Sequence, residues 1–245
     1  MTKRPILTGR ERVLLALAHK ETDRIPIAMV CSGINEPARR EFADRLRRER
    51  GLDLDAFLDA TLDIAGVGPQ YAGAALAADT DIWGVRRQAV SYGASSYSQN
   101  GLLMLLAMWE EFIKPCHVRL NRAIHEFGAR VIYHSDGAVM EAVPGLIDMG
   151  IDILQALQFD AAGMDPVGLK ELYGRDLCFE GGVSVQKTLP FGTPEDVAAE
   201  TTRLMRVLGK GGGYILGPSH AIQAGTPPAN IMAMFDAALG RAPVA

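Results

Sequence analysis

Val131-Ile132-Tyr133-His134-Ser135-Asp136-Gly137 reads as a β-strand that ends on two side chains able to bind a metal. Successive side chains of a strand point to opposite faces, so His134 and Asp136, two residues apart, address the same object. Further along, a second strand closes in the same manner, as Tyr214-Ile215-Leu216-Gly217-Pro218-Ser219-His220. In a chain that alternates strands with helices, such polar tips predict an active site at one rim of a barrel.

Working outward, the alternation is regular. A helix over 108–127 leads to strand 130–135, then helix 138–149 and strand 152–158. Asp165-Pro166, a capping residue followed by proline at the first helical position, opens a helix over 166–173 before strand 177–183. Thr193-Pro194-Glu195-Asp196 caps the next helix, strand 213–218 follows, and Thr226-Pro227-Pro228 starts a last helix ending near Leu239. Upstream, Thr8-Gly9-Arg10-Glu11 is a capping box for a helix through about His19, and Arg24–Val30 is the first strand. Helices over 36–50 and 53–62 and a strand or hairpin over 81–90 complete the pattern. Alternation with short loops implies a parallel sheet, and four successive units favour a (β/α)8 TIM-barrel-like fold over an open sheet. No Gly-x-Gly-x-x-Gly opens a helix, so a dinucleotide fold has no support. About six strands are recognisable where a closed barrel has eight. The expectation is therefore one domain over 1–245, an incomplete barrel with its gap in the polar stretch Tyr92–Asn100.

The net charge is −4, and the arginines at 39, 40, 45, 47, 48 and 50 are interleaved with acids, as in Glu36/Arg40, Glu41/Arg45 and Asp44/Arg48. Such i, i+4 pairs make a solvated helix face and argue against a nucleic-acid partner. Three isolated cysteines form no C-x-x-C, so no disulfide framework or four-cysteine zinc site is indicated. Residues 1–12 lack the apolar core of a signal peptide, and Leu102–Trp109 is too short to span a membrane, so a cytoplasmic protein is expected.

Among other polar residues, Glu180 within strand 177–183 is expected to line the barrel, and Gln158 to end its strand, both as candidate substrate contacts. A buried amide satisfying loop backbone is the competing role for Gln158. Gly211-Gly212-Gly213 precedes its strand and belongs to the stability face, as a turn and not a phosphate cradle. His19, His117 and His125 are expected on helix surfaces.

These residues resemble the uroporphyrinogen decarboxylase superfamily, which includes zinc- and corrinoid-dependent methyltransferases. The resemblance rests on Thr8-Gly9-Arg10-Glu11-Arg12-Val13, Thr80-Asp81-Ile82-Trp83-Gly84-Val85 and His134-Ser135-Asp136-Gly137. Leu189-Pro190-Phe191-Gly192-Thr193-Pro194-Glu195 and Gly211–His220 extend it. It implies a (β/α)8 barrel with its site at the C-terminal strand ends. It also implies an internal deletion near 93–101, because relatives carry further elements between the positions matching Tyr97 and Gly101.

For the methyltransferase branch the resemblance implies a metal held by His134, Asp136 and His220. Asp136 stands where relatives place a first cysteine and His220 where they place a second. The implied reaction is methyl transfer with zinc and a corrinoid carried on a partner protein. For the decarboxylase branch it implies Asp81 and His220 as catalytic residues, beside Asp136, acting without a cofactor on uroporphyrinogen or a smaller acid in porphyrin biosynthesis. Val30-Cys31-Ser32-Gly33-Ile34-Asn35 lacks the arginines with which that branch binds substrate carboxylates. A third reading is a shortened, non-catalytic binding module, and in either case an incomplete barrel invites a homo-oligomer that covers its edges.

Overall fold

The computed structural model describes residues 6–30, 33–65 and 106–241. At its centre is a parallel sheet of four strands in chain order: β1 (Ile132–His134), β2 (Ile153–Ala156), β3 (Cys178–Val183) and β4 (Tyr214–Pro218). A fifth stave lies beyond β4, where Ile27 forms a parallel bridge to Leu216. The first stave of the chain thus sits beside the last strand. That seam is how a (β/α)8 barrel closes, whereas an open doubly wound sheet keeps its early strands central.

The stave at 24–30 stops at a single bridge, Leu216 N–H to Pro26 O and Ala28 N–H to Leu216 O, because the next rung on either side falls on a proline, Pro26 or Pro218. Pro26 has no N–H, and the Ile27 N–H donates to Asp63 Oδ2 at 2.9 Å. Asp63 also accepts from Arg12 and Arg24, each at 2.6 Å, and Arg12 reaches Asp23 at 2.7 Å. Arg12 is the second arginine of the Thr8–Val13 motif, so that motif anchors the barrel seam. Its hydrogen bond holds the Asp23 carboxyl well below the usual carboxylate range.

Around the sheet run α1 (Gly9–Leu17), α2 (Ala38–Arg50), α3 (Leu54–Thr61), α4 (Leu106–Met108), α5 (Lys114–Glu126), α6 (Val143–Asp148), α7 (Pro166–Tyr173), α8 (Thr188–Phe191), α9 (Pro194–Leu208) and α10 (Pro228–Ala238). The capping boxes at Thr8 and Thr193 and the Asp165 cap all form. The helix expected over 108–127 is continuous from α4 to α5 but widens to a π-turn at Trp109–Ile113, just before Pro115, which cannot donate an N–H. The helix expected over 138–149 opens as a 3₁₀ turn, Met140–Ala142. On α9, Val197, Thr201, Leu204 and Leu208 are buried, the helical stripe that packs on β3 and β4. Phe42, Phe57 and Phe235 bring α2, α3 and α10 together, with ring centroids 5.3–6.2 Å apart.

At the N-terminal end of the strands the glycine run is a turn. Gly213 N–H donates to Ala16 O at 3.1 Å, and a Cβ on Gly212 would lie 2.5 Å from the Lys20 nitrogen. Only glycine lets the chain pass this close to the end of α1. His19 is tucked in here instead of lying on a helix surface, 3.8 Å from Cys178 Sγ. His125 pairs with Asp152 at 2.7 Å, and His117 packs edge-on against Tyr133. Asp81, the strand expected over 81–90 and the deletion expected near 93–101 lie outside the described residues. No helix among the described residues is long and apolar enough to cross a membrane.

Candidate metal centre

His134 is the last residue of β1, and the ladder continues one step beyond it through Ser135 N–H to Gln155 O at 3.1 Å. The chain then turns at Gly137, in the left-handed region at φ 85, with its N–H donating to Gln158 Oε1 at 2.8 Å. Gln158 therefore holds the loop that carries Asp136. On the opposite flank, Ser219 N–H donates to Val183 O at 2.8 Å, and Ile222 N–H to Gly33 O at 3.0 Å. His220 is fixed between those two clamps, one to the end of β3 and one to the first stave.

In a flat sheet β1 and β4 would stand three strand spacings apart, about 14 Å. Instead the His134 and His220 rings have centroids 5.6 Å apart at 65°. Inward curvature of the sheet brings them together. His134 Nε2 lies 3.4 Å from Asp136 Oδ2, and one ligand atom from each of His134, Asp136 and His220 falls within 4.8 Å of the others. Among the described residues this is the one group of three or more histidine, cysteine, aspartate or glutamate side chains so placed.

Two imidazoles and a carboxylate are good zinc donors, with bonds near 2.0–2.1 Å, for which tetrahedral ligand atoms are about 3.4 Å apart. The His134–Asp136 separation matches that edge. His134 and Asp136 are 39% and 46% exposed, so the cluster opens to solvent, and an ion held there would be reachable by a small substrate. The residues fit a zinc-type centre, and the absence of thiolates makes it harder than a cysteine-rich one.

Below the cluster lies a polar row of which only one member, Gln155, is absent from the sequence expectations. In register, His134 faces Gln155 on β2, and Gln155 faces Glu180 on β3. His134 Nδ1 and Gln155 Oε1 form a short hydrogen bond, and the Gln155 side chain also hydrogen-bonds Glu180. Glu180 is 1% exposed, and burial pushes its carboxyl up to about 8, against a smaller opposing effect of the Gln155 hydrogen bond. It is barrel-lining, packed where Gly217 leaves room: a Cβ there would stand 2.8 Å from Glu180 Oε1. The backbone above the row is unusual, with Ala156 at φ 99 beside Gly181 at φ 103. Such strain gathers at functional sites. The signal for Gln155 was a lone amide in the run Ile153-Leu154-Gln155-Ala156, but only strand register reveals its partners.

Residues 88–240 match the family model described as uroporphyrinogen decarboxylase (URO-D), more than half of the chain. The chain belongs to this family. Among similar family members is a methylated-thiol–coenzyme M methyltransferase of Methanosarcina mazei, 27% identical over 95% of this chain and 63% of that protein. A uroporphyrinogen decarboxylase of Anaeromyxobacter dehalogenans is 30% identical over 52% of this chain and 35% of that protein. A solved methyltransferase structure from Methanosarcina mazei, 23% identical, covers 56% of this chain and 38% of that one with a TM-score of 0.47. This uroporphyrinogen decarboxylase family chain thus spans between about a third and under two thirds of the curated relatives it matches. Family relatives are enzymes of two kinds, methyltransferase and decarboxylase, and both kinds are similar to it.

Proposed function

We propose that this chain transfers a methyl group to a thiol at a divalent-metal centre made by His134, Asp136 and His220. The observation that carries the reading is the convergence of those three side chains from the two flanks of the sheet, with ligand atoms within 4.8 Å. The likeness to a methylated-thiol methyltransferase along 95% of the chain supports it. Bound there, zinc would supply a Lewis acid that lowers the pKa of a coordinated thiol toward neutrality.

The protein's own contribution is position. Gln155 and Gln158 set the orientation of His134 and of the loop bearing Asp136, while the clamps on Ser219 and Ile222 set His220. The half-exposed mouth lets a thiol proton leave to water. In the transfer, the acceptor sulfur forms its bond to the methyl carbon as the donor's bond to that carbon breaks, and the bonding pair stays on the donor. A corrinoid protein is the donor partner in this proposal, the small thiol is the substrate, and the domain acts in the cytoplasm.

The decarboxylase relatives favour a second reading in which uroporphyrinogen loses carboxylates without metal, with Asp81 and His220 as its residues. The segment 30–35 has no arginine to meet such carboxylates, which weighs against it. Incubation of the protein with zinc, a methylated corrinoid protein and a small thiol decides between them. Methylated thiol formed by the wild type and lost in His134→Ala is expected; loss of carboxylate from uroporphyrinogen with no methylated thiol would overturn the first reading.

A further inference from the structure

The row His134, Gln155, Glu180 crosses three adjacent strands at one level, and its members differ sharply in surroundings. His134 opens to solvent, whereas Gln155 is 2% and Glu180 1% exposed. A glutamate at the inner end of an apolar strand is costly unless it serves another group. Glu180 Oε2 is buried without a hydrogen-bond partner, so the carboxyl's one polar contact of note is the Gln155 side chain.

A primary amide has two unlike ends. Its oxygen accepts, its nitrogen donates, and a flip exchanges them. With Gln155 Oε1 on His134 Nδ1, the amide nitrogen is left for Glu180. The ionised carboxylate only accepts, and the protonated carboxyl, with its O–H on the unpartnered Oε2, accepts through its other oxygen. That pairing with the amide nitrogen leaves the amide oxygen to face the imidazole. An amide oxygen can face only a protonated ring nitrogen, which leaves the other nitrogen with its lone pair exposed.

We propose that Glu180 is a positioning residue: acting through Gln155, it fixes His134 in its Nδ1–H form and aims an unprotonated Nε2 at Asp136 and His220. Its use in holding a divalent ion rests on the methyl-transfer reading above, but the tautomer itself does not. Gly217 belongs to the device, since a side chain there would displace the Glu180 carboxyl. The geometry explains why a buried acid stands two strands away from the cluster it serves.

The test is nitrogen-detected NMR of His134 in the metal-free protein at a pH where the ring is neutral. A zinc titration is run on the same samples. The wild type is expected to hold the Nδ1–H form. Glu180→Leu and Gln155→Leu are each expected to shift His134 toward Nε2–H and to weaken zinc by about 10–100-fold, the usual cost of losing an outer-shell partner. Gln155→Glu, whose carboxylate only accepts, should restore the Nδ1–H form even when combined with Glu180→Leu. That rescue separates positioning from a merely structural role. An Nε2–H wild type, or a folded Glu180→Leu protein with the wild-type tautomer, overturns the inference. If the wild type holds Nδ1–H and responds to the variants yet binds no zinc, the inference stands and the metal reading fails.

Discussion

Replacing Glu180 by glutamine should change the pH dependence of stability more than stability itself. The carboxyl is 1% exposed and burial raises it from an ordinary 4.5 to about 8. The folded state therefore holds this proton more tightly than the unfolded chain. Its stabilising linkage is fully present below about pH 4.5 and is lost as pH rises toward 8. Each pH unit in that window costs the wild type about 1.4 kcal/mol, or about 3–4 kcal/mol between pH 5 and pH 8. Against a total stability on the order of 5–15 kcal/mol, that loss is large. Glutamine cannot ionise, and its carbonyl can still accept from Gln155, so Glu180→Gln escapes this loss. Urea unfolding of the metal-free proteins at several pH values should give similar midpoints near pH 5 and a progressively more stable variant toward pH 8. Curves that stay parallel across this range would refute a neutral, buried Glu180.

Three further experiments probe the frame around the site. Arg50 grips Asp236 through two hydrogen bonds, at 2.8 and 2.5 Å, joining α2 to α10 with Asp236 3% exposed, so Arg50→Met should cost about 3–5 kcal/mol in urea unfolding. Adding Asp236→Leu should recover most of it, and a lone Arg50→Met that is neutral would contradict a buried pair. Gly181→Ala places a Cβ 2.7 Å from Ala156 O at φ 103, and should lower stability by more than the roughly 1–3 kcal/mol of backbone strain alone. A wild-type melting temperature would show that the kink of β2 and β3 is not tight. Cys178 is buried and its thiol is pushed up to about 11, whereas Cys116 is exposed. With Cys31 and Cys116 changed to serine, an aromatic disulfide reagent at about pH 8 should modify Cys178 only on unfolding; rapid labelling of the native protein would contradict its burial.

The sequence made local features legible because their causes are local. Thr8, Asp165 and Thr193 announce helix starts with short-range hydrogen bonds, and all three caps form. The strand tips at 134–137 and 218–220 were likewise readable, and their convergence follows once a parallel sheet curves into a barrel. Two features needed long-range information. Arg24–Val30 has strand composition, but its pairing with β4 stops at one bridge because Pro26 and, far along the chain, Pro218 both lack the N–H that the next rungs need. Gln155 is one amide in an apolar strand, indistinguishable by pattern from Gln158, until register sets it between His134 and Glu180. Gln158 meets the backbone of Gly137, the role a buried amide most readily fills.

The most direct measurement on the metal centre is a zinc titration of the metal-stripped protein, followed by calorimetry, for the wild type and for His134→Ala. One zinc per chain in the wild type, with binding abolished by the substitution, is the predicted result. Failure of the wild type to bind zinc, or stoichiometric binding that survives loss of His134, would contradict a site built from His134, Asp136 and His220.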